Sequence, residues 1–338
     1  MNIELKDSFD EEIKNFWIKQ EKIQNFNIFQ SYVWNLKVLN YFYNNLKEKI
    51  IIFVVKEKKE IIAVLPFIKR TQFTLNILSL IGEDFTDYNS LIIDKKVLNS
   101  KEKITQIFKL LKTSKKKIDL IYIRNQFNDN ELYPFNPFFK FFKFKKKEKN
   151  YGIKIFGTWG DYIKINKLDK LEKKINYGIR KLNLDPNNSF QIIIDNFKKK
   201  EIIKKTIENK TKFSSNYKMK QLQNFFLDPE ILKKLHCSVI LDRNNKLLAS
   251  NIGILEKEKF IYYYPSYILN KEINKYSPGT ILLYFLIKFY FDKKINFFDF
   301  GVGGEIYKKK WSNSKCDNYE FIYGFTLKGK IYKLIKNF

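Results

Sequence analysis

Apolar residues recur at helical spacing around Phe9, Ile13, Phe16 and Trp17, and a second amphipathic stretch follows near 32–46. The period then shortens to that of strands. IIIFVV (50–55) and IIAVLPFI (61–68) flank the polar KEKKE, which predicts a hairpin. TLNILSLIG (74–82) and NSLIID (89–94) predict further strands on either side of the polar loop GEDFTDY. A basic amphipathic helix is expected at 101–114 and a buried strand at IDLIYI (118–123). Residues 127–152, with Pro134, Pro137 and FFKFFKFKKKEK, show no clean period and read as a connection between two halves, with room for one strand.

The second half opens on the basic helix LDKLEKKINYGIRKL (168–182), ended by Asp185 and Pro186. FQIII (190–194) predicts a strand, and helices are expected over 196–210 and 216–235. HCSVILD (236–242) and LLASNIGIL (247–255) form a second predicted hairpin about RNNK, and KFIYYYP (259–265) another strand. SPGTILLYFLIKFYF (277–291) predicts a helix, NFFDFG (296–301) a short buried strand, EIYKKKW (305–311) a helical turn or two, and DNYEFIYGFTL (317–327) the last strand. The chain has two alanines, Ala63 and Ala249, and they fall at the same slot of the two hairpins. That coincidence predicts an internal repeat, one α/β unit per half.

With 338 residues, two domains are expected. A hydrophobic fraction of 44%, with 33 Phe and 21 Tyr, excludes a disordered chain. The net charge of +28 points to a polyanionic partner, yet only Arg70, Arg124, Arg180 and Arg243 are arginines. Lysine in place of the planar guanidinium fork, together with abundant Asn, Ile and Phe, is also what an AT-rich coding sequence yields. Cys237, Cys316 and the single histidine, His236, make no metal-ligand spacing, so no metal is expected. His236 and Cys237 are neighbours in a strand and point to opposite faces, so a Cys-His pair is excluded. The opening MNIELKDSFDEEIK is acidic and lacks a signal-peptide core, and the apolar run 281–291 is too short to span a bilayer and holds Lys288. A cytoplasmic protein with no membrane span is expected.

Two motifs carry chemistry. In Ser277-Pro278-Gly279-Thr280, Ser277 is expected to cap a helix and Pro278 to occupy its first position. The amides of Gly279, Thr280 and Ile281 would then face an anion such as a pyrophosphate, although plain capping explains the same residues. In DFGVGGEIYKKKW, Gly301, Gly303 and Gly304 demand a sharp turn between a strand end and a short helix. Glu305, Tyr307, Lys308 and Trp311 follow, offering a base, a phenol and an ammonium at the carboxyl end of a strand. A turn with Trp311 in the core and Lys308 in water is the bland alternative.

These stretches, with FFLDPEILKKLHCSVILD, FIYYYPSY, IFQSYVW and GEDFTDYNSLII, resemble the acetyltransferase domain of CelD-like (cellulose-biosynthesis, BioF-like) proteins. That family belongs to the GNAT superfamily and is close in layout to the FemAB aminoacyltransferases. The resemblance implies two GNAT-like α/β halves, each a mixed sheet flanked by helices: 1–150, non-catalytic or on the acceptor side, and 151–338, the acyltransferase. It implies acyl-CoA as co-substrate, with its pyrophosphate on Ser277, Gly279, Thr280 and Ile281. Tyr307 would be the general acid, Lys308 would stabilise developing charge, and Glu305 would be the base or orient the amine. Arg180 and Tyr264 would bind the acceptor, a small amine and plausibly an amino sugar or sugar nucleotide of surface-polysaccharide assembly. Two alternatives stand beside it: a FemAB-like enzyme using aminoacyl-tRNA, and a non-catalytic polyanion- or nucleic-acid-binding module on the same fold.

Overall fold

The computed structural model describes residues 1–24, 26–43, 46, 49–113, 117–127, 144–185, 187–210 and 216–336. The fold is mixed α/β and divides into two units, Met1–Lys149 with Cys316–Phe338, and Asn150–Lys315. Most of the expected connection at 127–152 lies outside the described residues.

In the first unit, β1 (Asn2–Lys6) leads into α1 (Glu11–Gln24) and α2 (Tyr32–Val38). α1 buries Ile13, Phe16 and Trp17, the face that its spacing predicts. β2 (Ile50–Glu57), β3 (Glu60–Gln72) and β4 (Leu75–Leu80) then run antiparallel in sequence, with β1 beside β2. The β2–β3 turn is Lys58-Lys59, both with positive φ, a two-residue geometry whose twist matches that of the strands. β5 (Ile92–Ile93) pairs with β3, and α3 (Lys101–Thr113) carries the chain to β6 (Leu120–Phe127), parallel to β4.

The second unit repeats this plan. After β7 (Lys145–Lys154) come α4 (Trp159–Ile165), α5 (Asp169–Lys181), β8 (Phe190–Ile193), α6 (Asn196–Lys210) and α7 (Asn216–Leu227). β9 (Leu235–Leu241), β10 (Leu247–Glu256) and β11 (Lys259–Tyr267) join β8 in an antiparallel row. α8 (Pro278–Asp292) crosses to β12 (Phe297–Asp299), parallel to β11 and bounded on its other side by β7. α9 (Ile306–Trp311) closes the unit, with Trp311 buried against Trp159 and Tyr284. The chain then returns to the first unit, where β13 (Ser314–Gly324) pairs with β6 and α10 (Leu327–Ile335) follows. The second domain therefore does not own all of 151–338 as expected, because the ladder of β13 is with β6.

Ala63 and Ala249 occupy equivalent positions. Val55 pairs with Ala63 and Lys56 with Ile61, so Ile62 bulges. Ile240 pairs with Ala249 and Leu241 with Leu247, so Leu248 bulges. Each alanine is the first residue beyond a one-residue bulge and is buried, which supports the repeat. The helix expected over 216–235 breaks at Asp228, whose side chain accepts from the Glu230 amide ahead of a single turn, Pro229–Leu232. β1, α4 and α10 had no counterpart in the periodicity reading.

His236 in β9 is partly buried, and its Nδ1 is 2.8 Å from the Tyr290 hydroxyl. Burial, aided by Lys199, holds its pKa down at about 4, while burial pushes the Cys237 thiol up to about 12. Neither is a reactive pair. A histidine depressed in the folded state binds its proton first in the unfolded chain, so its stabilisation is complete above the unfolded value of 6.5 and erodes as pH falls towards about 4. The slope from this group is at most ~1.4 kcal/mol per pH unit. Melting scans between neutral and mildly acidic pH should therefore fall more steeply for the wild type than for His236→Gln; parallel curves would refute this assignment.

Candidate active site

β11 and β12 pair at Lys259–Phe297, Phe260–Phe298 and Ile261–Asp299, and no further. β11 runs on to Tyr267, whereas β12 ends and turns through Gly301 and Gly303, whose φ values of 71° and 118° favour glycine. Asp299 fixes that exit: fully buried, it accepts from the Gly301 amide at 2.9 Å and pairs with Lys259 at 3.1 Å. The two strands thus part where Asp299 is tied to both Lys259 and the Gly301 amide.

A second irregularity lies across the sheet. Ile252 pairs with Tyr264 and Ile254 with Ile261, so Tyr262 and Tyr263 together face Gly253. A Cβ at Gly253 would sit 2.2 Å from the Phe260 ring, so only glycine fits. This bulge resets the alternation along β11. Tyr262 stays in the core beneath α8, while Tyr264 turns to the other face, with Lys210 Nζ 4.0 Å over its ring and Phe226 beside it. Tyr264 lines neither of the cavities described next.

Two cavities adjoin at the start of α8 and share Ser277, Thr280 and Tyr307. One, of about 330 Å3, is lined by Tyr262, Ser266, Tyr267, Asn274, Gly279 and Leu283 and by no charged residue. Ser266 and Asn274 line this neutral cavity, while their Oγ and Oδ1 atoms are themselves buried in the protein and without a hydrogen bond. The other, of about 440 Å3, is lined by Lys174 and Tyr177 of α5, by Lys275 and Tyr276, and by Lys310 and Trp311 of α9, with no acid. Gly178 lets α5 come this close, since a Cβ there would meet the Tyr276 carbonyl oxygen at 2.8 Å.

The helix end differs from the expected cap. Ser277 has a left-handed backbone (φ 55°, ψ 58°) and its side chain caps nothing. Its carbonyl accepts from the Thr280 amide at 2.9 Å and the Ile281 amide at 3.1 Å, so these two are not free for an anion. Pro278 has no N–H, which leaves the Gly279 amide as the unpaired donor of this turn among the described residues. A side chain at Gly279 would project onto the Tyr267 ring, which lines the neutral cavity. Ile281 is buried and lines the lysine cavity instead.

Tyr307 stands where the cavities meet, packed edge-on to Phe300. Burial, reinforced by Glu305, raises its pKa well above the usual phenol value. Lys308 is neither in water nor in a cavity. It is 4% exposed, and its Nζ donates to the Val302 carbonyl at 2.7 Å and to Glu305 Oε2 at 2.8 Å. It braces the glycine turn from within, and Glu305, mostly exposed, completes that brace. Arg180 is exposed on α5 and lines neither cavity. Sequence reasoning missed Ser266, Asn274, Lys174, Tyr177, Lys275 and Lys310. Only Lys174 and Tyr177 left a trace, as an i, i+3 pair on one helix face.

A parallel pair splayed at its carboxyl ends, with a helix opening into the gap and a tyrosine beside it, is the layout that the resemblance to GNAT folds implies for the second unit. Consistently, residues 213–309 match the family described as acetyltransferase (GNAT) domain. No curated protein matches the sequence. Among solved structures, FemX is similar at 10% identity and a TM-score of 0.57, over 99% of this chain and 100% of that one. L-PGS from Bacillus licheniformis is similar at 10% identity and a TM-score of 0.56, over 95% and 96%. A tandem GNAT protein from the clavulanic acid biosynthesis pathway is similar at 6% identity and a TM-score of 0.50, over 96% and 99%. At such identities the likeness is one of fold. No helix among the described residues is long and apolar enough to cross a membrane, and no cluster of acids, histidine or cysteine among them could hold a metal.

The three consecutive lysines of α9 should behave differently. Lys308→Met removes the bonds to the Val302 carbonyl and Glu305 Oε2 and should cost ~1–3 kcal/mol of stability. Lys309→Met, on the exposed side, should change nothing. Lys310→Met should leave the melting temperature alone and weaken binding of a phosphate-bearing ligand such as CoA, by calorimetry. Three equal outcomes would contradict the described burial.

Proposed function

We propose that the second unit is an N-acyltransferase that moves an acyl group, acetyl in the simplest case, from acyl-CoA to an amine. The observation that carries this reading is the meeting of a lysine-lined cavity and a charge-free cavity at one tyrosine. Lys174, Lys275 and Lys310 suit the phosphates of such a donor. Ser266, Asn274 and Thr280 give the charge-free cavity a few polar side chains to border the arm of such a donor. Bound there, acyl-CoA supplies an activated thioester.

The chain's own groups do the rest. Tyr307 lines both cavities and, as a phenol whose pKa burial and Glu305 raise further, holds its proton until the leaving group takes it. The Gly279 amide offers one fixed donor to an oxygen entering the neutral cavity. No carboxylate or imidazole lines either cavity, so the amine must enter neutral or lose its proton to water. Lys308 and Glu305 act by holding the turn that carries Tyr307. The acceptor we assign to an amino sugar or sugar nucleotide, on the resemblance of the motifs to CelD-like proteins.

A second reading, transfer from aminoacyl-tRNA, is favoured by the full-length likeness to FemX and by the net charge of +28. The lysine cavity would then take phosphates of the RNA end. Melting the pure protein with acetyl-CoA and with tRNA in separate samples distinguishes the two. Acetyl-CoA should raise the melting temperature of the wild type, and Gly279→Glu, which puts bulk and negative charge into the neutral cavity, should weaken that donor by at least about tenfold. A shift with tRNA and none with acetyl-CoA would overturn the first reading in favour of the second.

A further inference from the structure

α10 lies at the end of the described chain and has no part in the acyl-transfer site. Its inward side is set by Gly329, where a Cβ would sit 2.0 Å from the Asp119 carbonyl oxygen, and by Tyr332, which packs on Leu75, Ile77, Leu120 and Ile322. Thr326 starts it, accepting from the Gly329 amide and donating to Asp119 at 2.7 Å. The helix is therefore firmly seated. Its opposite side is apolar: Leu327, Ile331, Leu334 and Ile335 are 74%, 48%, 69% and 73% exposed.

At ~100° per residue these four side chains fill an arc of about 100°, centred on the side away from Gly329 and Tyr332. Lys328 and Lys330 border that arc on its two edges, Lys333 and Lys336 follow, and no acid occurs between Thr326 and Lys336. An exposed apolar stripe is costly in water, and a border of unopposed lysines disfavours a neutral or basic protein partner.

We propose that α10 is a membrane-surface helix that lays Leu327, Ile331, Leu334 and Ile335 into the headgroup boundary of a bilayer rich in anionic lipid. Lys328 and Lys330 then meet lipid phosphates on either side of the stripe. Nine residues span only ~13.5 Å, so the helix lies in the interface and does not cross it. The charge pattern selects the occupant: both edges of the apolar arc are positive, as an amphipathic helix on an anionic surface requires. This inference stands apart from the acyl-transfer reading.

The test is cosedimentation of the full chain with vesicles of equimolar phosphatidylglycerol and phosphatidylcholine at about 0.15 M salt. Because a net charge of +28 alone attracts such vesicles, the decisive variant keeps every charge: Ile331→Ser with Leu334→Ser, both exposed, with the melting temperature as a check on folding. Its partition should fall by about tenfold or more, and that of Lys328→Gln with Lys330→Gln should fall on the anionic vesicles. Pure phosphatidylcholine should retain little wild-type protein. Equal binding by the serine variant would reduce the effect to bulk charge and overturn the proposal, as would absence of wild-type binding. Concentration-dependent dimers lost in the serine variant and unaffected by vesicles would assign the stripe to a second copy instead.

Discussion

The parallel ladder of β11 and β12 is only three pairs long, and the site depends on where it stops. Parallel strands that continue side by side are covered by helices on both faces, with no gap between them. Here Asp299, buried and bonded to both Lys259 and the Gly301 amide, ends β12 abruptly, and the glycine turn swings the following residues away. The part of β11 beyond Ile261 and the start of α8 then border a cavity instead of a strand. Lys308 ties the far side of the same turn to Val302, so that the position of Tyr307 is inherited from backbone geometry and not from an exposed side chain.

The first unit has the same construction with a different filling. β4 and β6 pair only at Ile77–Leu120 and Leu78–Ile121 before parting. The loop that follows β4 holds Glu83, buried, whose carboxylate accepts from the Arg124 amide at 2.7 Å and its guanidinium at 3.1 Å. Asp84 bridges Arg124 and Arg70 at 2.9 and 2.7 Å. Burial raises the Glu83 pKa against the pull of Arg124. Two of the chain's four arginines are thus spent on one structural cluster, in the loop whose polar sequence had resembled a family motif.

Much of the fold was legible because it rests on local patterns. Alternation located both hairpins, and the alanines after each bulge betrayed the repeat before any topology was known. The α8 helix and the glycine turn were likewise written in Pro278 and in Gly301 and Gly303. What could not be read depends on register or on distant partners. The bulge opposite Gly253 moves Tyr264 to the far face, and the need for it arises from Phe260, not from the tyrosines. Ser277 looks like a side-chain cap, but its backbone is left-handed and its side chain caps nothing, while its carbonyl takes up the Thr280 and Ile281 amides that a phosphate would use. Lys308 and Lys310 are neighbours of one type, separated in fate by two positions of a short helix. The return of β13 to β6 left no local trace, since strand propensity does not name a partner.

The central claim is that Tyr307 supplies the proton at the junction of the two cavities. A thiolate leaves with little help, whereas an alkoxide needs a proton from a nearby acid. The most direct measurement compares kcat of the wild type and Tyr307→Phe on a thioester donor and on an oxygen ester of the same acyl group. A loss of about 10²-fold on the oxygen ester, with a much smaller loss on the thioester and unchanged donor affinity, is the predicted result. Equal losses on both donors, or none on either, would contradict it.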